Sequence, residues 1–176
     1  MDELVRKICW GFYYCIAYYL PKSNARIALG SKHIRAFLVK RIIRKRGNNV
    51  NIQRKVVLSR KLIIGDNSGV GIGSVLQGEI IIGNNVMIGP ECYIFTQNHA
   101  HSKTDIPMID QGYEAEKPVI IGDDVWIGSR VTILPGVSIG KGVVIGASSV
   151  VTKNIPDYSI AAGNPARVLK SRLNDE

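Results

Sequence analysis

Two of the three histidines in this 176-residue chain, His99 and His101, stand one residue apart in a polar stretch from Gln97 to Pro118. A neutral imidazole takes a proton from a hydroxyl near neutral pH, so general-base chemistry is what such residues could serve. Four carboxylates share the stretch: Asp105, Asp110, Glu114 and Glu116. Each is a candidate to orient an imidazole or to bind substrate hydroxyls. The sequence does not choose among them, and most loop acids are simply solvated. His33 lies in a basic N-terminal segment and reads as structural. No nucleophile-elbow pattern surrounds any serine. The three cysteines, Cys9, Cys15 and Cys92, form an odd set with neither metal nor disulfide spacing, so no metal is expected and a reducing cytoplasm is the simplest setting.

What positions this stretch is a repeat of six. From residue 52 an aliphatic recurs at Ile52, Leu58, Ile64, Val70, Leu76, Ile82, Ile88 and Ile94, then again at Ile121, Ile127, Ile133, Ile139, Ile145 and Val151. Glycine often follows it, and a small or β-branched residue comes four positions later, as at Val56, Ser68, Cys92 and Val131. A period of six fits neither a helix nor ordinary strands; it fits a parallel β-helix in which short strands alternate with tight corners. Glycine at a corner would tolerate backbone geometry that other residues resist. Fourteen repeats at three per coil predict four to five coils. The step from Ile94 to Ile121 is not a whole number of sixes, so the histidine stretch, 97–118, is an insert in the solenoid. Long loops on regular scaffolds often carry function.

The repeat resembles that of the hexapeptide-repeat acyltransferases over residues 50 to 170. The resemblance implies an all-β fold, a left-handed parallel β-helix of triangular section. The passage Ile88-Gly-Pro-Glu-Cys-Tyr-Ile-Phe-Thr96-Gln-Asn-His99 is similar to the segment leading to the catalytic histidine of galactoside, maltose and Nod-factor acetyltransferases. It puts His99 in the catalytic place, with Ala100 where the family commonly has proline. A thioester is already activated, so a base for the acceptor hydroxyl is the missing part, and direct transfer in a ternary complex is expected over an acyl-enzyme. Backbone N–H groups would steady the oxyanion.

Three later passages, Ile121-Gly-Asp-Asp-Val-Trp126-Ile-Gly-Ser129, Gly146-Ala147-Ser-Ser-Val-Val-Thr152-Lys153 and Gly163-Asn-Pro-Ala-Arg167-Val-Leu-Lys170, resemble the acetyl-CoA groove between subunits of a trimer. Carried over, Ser129 and Ala147 would line the pantetheine arm, and Thr152, Lys153, Arg167 and Lys170 would meet the nucleotide phosphates, for which cations are suited. His101, Trp126 and Glu114 are candidate acceptor-binding residues. The implied activity is O-acetyl transfer from acetyl-CoA to a sugar hydroxyl. Thr-Asp-Ile-Pro-Met and Gln-Gly in the loop resemble the branch serving capsule, exopolysaccharide or lipopolysaccharide assembly. Serine, antibiotic and amino-sugar acetyltransferases share the fold, as does γ-type carbonic anhydrase. The last needs three histidines on a metal, and the spacing here argues against it. A non-enzymatic scaffold is the remaining class; coenzyme binding separates it.

The net charge of +9 is uneven: residues 1–61 carry +13 and residues 62–176 carry −4. Residues 1–47 read as a basic, aromatic and helical segment, 48–163 as the β-helix, and 164–176 as a tail ending in a short helix. Ile8 to Leu20 is uncharged and holds six aromatics, too short to span a bilayer comfortably. Two readings stand side by side: a helix at an anionic membrane surface, placing the protein at the inner face of the cell membrane, or a helix packed on the β-helix or a neighbouring subunit. Pro21 should end it. A second helix is expected from about Ala25 to Arg46. Its basic run lacks any nucleic-acid motif, so nucleic acid is not an expected partner.

Overall fold

The aliphatic at every sixth position turns inward and stacks on its equivalent in the next coil. A computed structural model describes residues 3–174. Along one face, Ile52, Val70, Ile88, Ile127, Ile145 and Ala161 are paired in register by parallel strands, and all are buried. A second face stacks Ile64, Ile82, Ile121 and Ile139, and a third Leu76, Ile94, Ile133 and Val151. The small residues four positions on, among them Ser68, Cys92 and Val131, are buried too. Burying each aliphatic stabilises the fold by about 1.5–3 kcal/mol, and the columns of the three faces share one core.

The face headed by Asn51–Ile52 carries six parallel strands, about six coils rather than four to five. The difference arises at the ends. Lys45–Arg46 already pairs with Ile63–Ile64, and Ser159–Gly163 continues the stack beyond the strict repeat. Register advances by three repeats per coil, as from Val70 to Ile88, but by more than twice that span from Ile88 to Ile127. The surplus is the insert, and it leaves the stacking unbroken.

The recurring glycines have a different cause from the one the repeat suggested. Those that follow the aliphatics are absent from the positive-φ residues, which include Asn67, Asn85, Glu91, Asp124 and Arg130 instead. What excludes a side chain is the coil above: a Cβ on Gly89 would meet Gly128 backbone at 2.7 Å, and one on Gly128 would meet the Ala147 nitrogen at 2.6 Å.

The N-terminal segment caps the first coil. Helix Glu3–Phe12 continues through a wider turn, Tyr13–Ala17, and presents Cys9, Tyr13 and Ala17, four residues apart, to the core. The Tyr13 hydroxyl donates to the Val56 carbonyl at 2.9 Å, and burial pushes its pKa well up. The second helix spans Ser31–Ile42, shorter than expected, because Leu29 and Gly30 take positive φ before it and Lys45–Arg46 is already strand. Its Arg35 is fully buried. The guanidinium donates to the carbonyls of Ile52 (2.8 Å), Ala17 (3.3 Å) and Pro21 (3.1 Å) and to the hydroxyls of Ser23 and Ser31.

At the other end the expected short helix is a strand. Ala166–Ser171 folds back antiparallel on Ser159–Gly163, and one tight turn, Arg172–Asn174, follows. Among the described residues no helix is long and apolar enough to cross a membrane.

Candidate active site

The insert is a hairpin. Its arms are joined by Lys117 N donating to Thr96 O (2.7 Å), Glu114 N to Asn98 O (2.9 Å) and Ala100 N to Gly112 O (3.0 Å). The last bond explains the departure from proline at position 100: proline has no N–H to donate. Farther out, the Gln111 side chain stands in for a strand, donating to Lys103 O and Ile106 O and accepting from Lys103 N.

His99 sits on one arm directly across from Tyr113, and the two rings lie 4.3 Å apart at 31°. The imidazole is exposed within the single chain. His101 places Nδ1 3.2 Å from the His99 carbonyl. Glu114 faces His101 Nδ1 at 3.7 Å and Lys117 at 4.0 Å. The carboxylates left open by the sequence thus separate: Glu114 serves His101, and Glu116 serves the root of the hairpin.

That root is the most heavily bonded part of the insert. Glu116 accepts from the Glu79 amide (2.7 Å) and the buried Thr96 hydroxyl (2.8 Å) and is paired with the Lys61 ammonium. The Lys61 ammonium and the Thr96 hydroxyl hold its carboxyl below the usual range. Gly78, at φ +90°, leaves the room: a Cβ there would overlap Thr96 Oγ1.

The residues assigned to acetyl-CoA are spread over two corners and the end strand. Ser129 and Ala147 stack at the corner after Trp126–Ile127 and Val144–Ile145, joined by Ser148 N to Ser129 O at 2.8 Å. Consecutive coils approach there as closely as backbone permits, giving a ledge of small groups that fits a thin extended ligand. Thr152 and Lys153 occupy the next corner, after Val150–Val151, which stacks through Thr132–Ile133 on Tyr93–Phe95. Arg167 and Lys170 are exposed on the antiparallel end strand, opposite Ala162 and Ile160. Exposed cations on an end strand suit phosphates. Trp126 is exposed on the face between, flanked in register by Met87 and Val144. The hairpin leaves from the corner after Tyr93–Phe95, so His99 and the Ser129–Ala147 ledge belong to different corners of the solenoid.

Sequence reasoning missed Tyr113 beside His99, the role of Gly78, and the Gln111 brace. Only the hairpin pairing brings the first into view, and no spacing rule encodes it. Among the described residues no three His, Cys, Asp or Glu side chains gather to hold a metal ion.

The family description "Bacterial transferase hexapeptide (six repeats)" matches residues 61–96 and 118–153. The chain is 35% identical over 146 residues to the putative colanic acid biosynthesis acetyltransferase WcaF of Escherichia coli K12, covering 81% of this chain and 77% of that one. A maltose O-acetyltransferase from Clostridium difficile 630 superposes with TM-score 0.79 at 32% identity, over 97% of this chain and 89% of that one. A hexapeptide-repeat acetyltransferase of Vibrio cholerae O1 biovar eltor, solved with acetyl coenzyme A, gives TM-score 0.74 at 26% identity, over 96% and 87%. Other curated relatives, 40–46% identical, are longer, and the chain spans 37%, 57% and 45% of their length. A six-residue register carried through stacked coils, a histidine hairpin inserted at one corner, and these likenesses place the chain in the hexapeptide-repeat acetyltransferase family.

Proposed function

We propose that this chain transfers acetyl from acetyl-CoA to a sugar hydroxyl, on a precursor of a capsule, exopolysaccharide or lipopolysaccharide. The observation that carries the reading is His99, exposed on a hairpin whose root is fixed by Glu116. His99 takes the proton as the acceptor oxygen attacks the thioester carbonyl carbon. The C–S bond then breaks, and the imidazolium returns the proton to the leaving thiolate, releasing free coenzyme A and the acetyl ester. Ser129 and Ala147 line the pantetheine arm; Thr152, Lys153, Arg167 and Lys170 meet the phosphates. His101, Glu114 and Trp126 face the acceptor.

Because the hairpin and the ledge occupy different corners, the complete site forms between copies in a homotrimer. The relatives named for maltose and colanic acid support a carbohydrate acceptor. The protein works in the cytoplasm, with its basic N-terminal segment in peripheral contact with the inner membrane face.

The test is thiol release from acetyl-CoA on a panel of sugars and lipid-linked oligosaccharides, with His99→Ala alongside. Acceptor-dependent release, lost in the variant while coenzyme binding persists, is expected. Full activity in His99→Ala would remove His99 as the base, and no coenzyme binding by the parent would leave a scaffold.

A further inference from the structure

The N-terminal cap has two sides. Cys9, Tyr13 and Ala17 pack on the core, while Ile8, Phe12 and Ile16, also four residues apart, are about half exposed, at 49%, 54% and 51%. Among the described residues this line is covered on one side only, by the second helix. Beside it lies a groove of about 580 Å³ between the two helices, lined by Phe12, Ile16, His33, Ile34, Phe37 and Leu38. Its volume falls within the range of about 300–1,000 Å³ typical of ligand sites.

One end of the groove is cationic. Phe37 also borders a second hollow, shared with Lys40, Arg41 and Arg46. The Arg41 guanidinium lies 3.7 Å from the Phe37 ring centroid. The Arg46 Nε is buried with no hydrogen-bond partner. Lys40 and Arg41 have no carboxylate partner among the described residues. Between Glu3 and Asp66 the chain has fifteen Lys and Arg and not one Asp or Glu.

We propose that this cap docks on an anionic phospholipid bilayer, with one lipid tail in the Phe12–Phe37 groove and its phosphate at Lys40, Arg41 and Arg46. The proposal rests on the membrane contact in the functional reading above and gives it a site. An apolar slot running into a cluster of cations matches a lipid phosphate in both halves. A second copy of this chain does not match, because two such faces would bring like charges together. The cap covers the first coil, and the end strand bearing Arg167 and Lys170 closes the last. The lipid end and the coenzyme-phosphate end of the solenoid are therefore opposite ends.

The test is flotation of the full-length protein with vesicles of phosphatidylcholine alone or mixed with phosphatidylglycerol. The parent should float only with the mixture, and less as salt rises. Ile16→Ser/Phe37→Ser should bind at least about tenfold more weakly, since two buried apolar side chains are lost. Lys40→Gln/Arg41→Gln should lose about fivefold per cation. Free inorganic phosphate should not compete. Both variants should keep acetyl transfer to a soluble acceptor without vesicles, and flotation reads the proposal even if no transfer is found. No flotation with the anionic mixture overturns it. So does parental flotation by Ile16→Ser/Phe37→Ser, or loss of oligomerisation in that variant with no lipid binding by the parent.

Discussion

The buried Thr96 hydroxyl donates to Glu116 Oε1 at 2.8 Å, joining the last residue of a coil to the point where the hairpin returns. The Lys61 ammonium, then this hydroxyl, hold the Glu116 carboxyl below its ordinary range, and Glu116 holds Lys61 above its own. A depressed carboxyl contributes stability above its unfolded pKa and loses it as pH falls through the folded value. A raised ammonium contributes below its unfolded pKa and loses it only as pH rises through its folded value, on the alkaline side. Glu116→Gln keeps the shape and removes the charge. It should therefore melt below the parent at neutral pH, with the gap closing as acid protonates the parent's carboxyl. Melting temperatures of both proteins across pH measure this, and a gap unchanged in acid would show that charge is not what holds the root.

Gly78 tests the same root sterically. Its φ of +90° disfavours any side chain, and the Cβ of an alanine would overlap Thr96 Oγ1. Gly78→Ala should destabilise the root by about 1–3 kcal/mol from backbone strain alone. Activity should fall further than global stability, because the hairpin bearing His99 is displaced while the coils remain stacked. Hydrogen exchange at the Lys117 and Glu114 amides reads the hairpin directly; protection equal to the parent's would refute the prediction.

The solenoid and its interruption were legible because burial imposes a strict period. Ile88 must stack on Ile127 whatever lies between, so the insert announces itself as a break in phase. The glycines were legible as positions but not in cause, since Gly89 is explained by a coil that arrives only after the hairpin has returned. The outer coils were understated because Arg46 stands opposite Ile64, where the column would have an aliphatic, and so leaves no aliphatic signature. Arg167 to Lys170 alternates weakly and follows Asn164-Pro165, so its strand, specified by pairing with Ser159–Gly163, looked like a tail. His99 was singled out by a resemblance counted from Ile88. Tyr113 was not, because its contact depends on hairpin register rather than on any period.

Arg35 joins the cap to the first coil without a carboxylate. Burial lowers its pKa, yet its donors are met by the carbonyls of Ala17 and Pro21, at and just beyond the end of the first helical segment, and of Ile52. Arg35→Ala would strand several buried acceptors at about 1–3 kcal/mol each, so the loss should reach at least ~3 kcal/mol. Arg35→Lys should recover only part of it, because an ammonium cannot reproduce the planar fork. Chemical denaturation of the three proteins gives the order. Equal stability of lysine and arginine would mean that charge, not donor geometry, is what the site requires.

The contact between His99 and Tyr113 separates chemistry from positioning. His99→Ala removes the proposed base and should lower kcat by about 10²–10⁴-fold while coenzyme binding is kept. Tyr113 meets the imidazole through its ring, so Tyr113→Phe should keep near-parental kcat. Tyr113→Ala frees the imidazole to rotate, and should lower kcat with little change in the KM for acetyl-CoA, whose proposed ledge lies at another corner. The pH profile of kcat supplies the further readout. If Tyr113 only positions the ring, the profile of Tyr113→Ala should keep the parent's shape at reduced amplitude, while that of His99→Ala should not. A Tyr113→Phe variant as impaired as Tyr113→Ala would instead move the hydroxyl into the reaction, and with it part of the proton transfer assigned to His99.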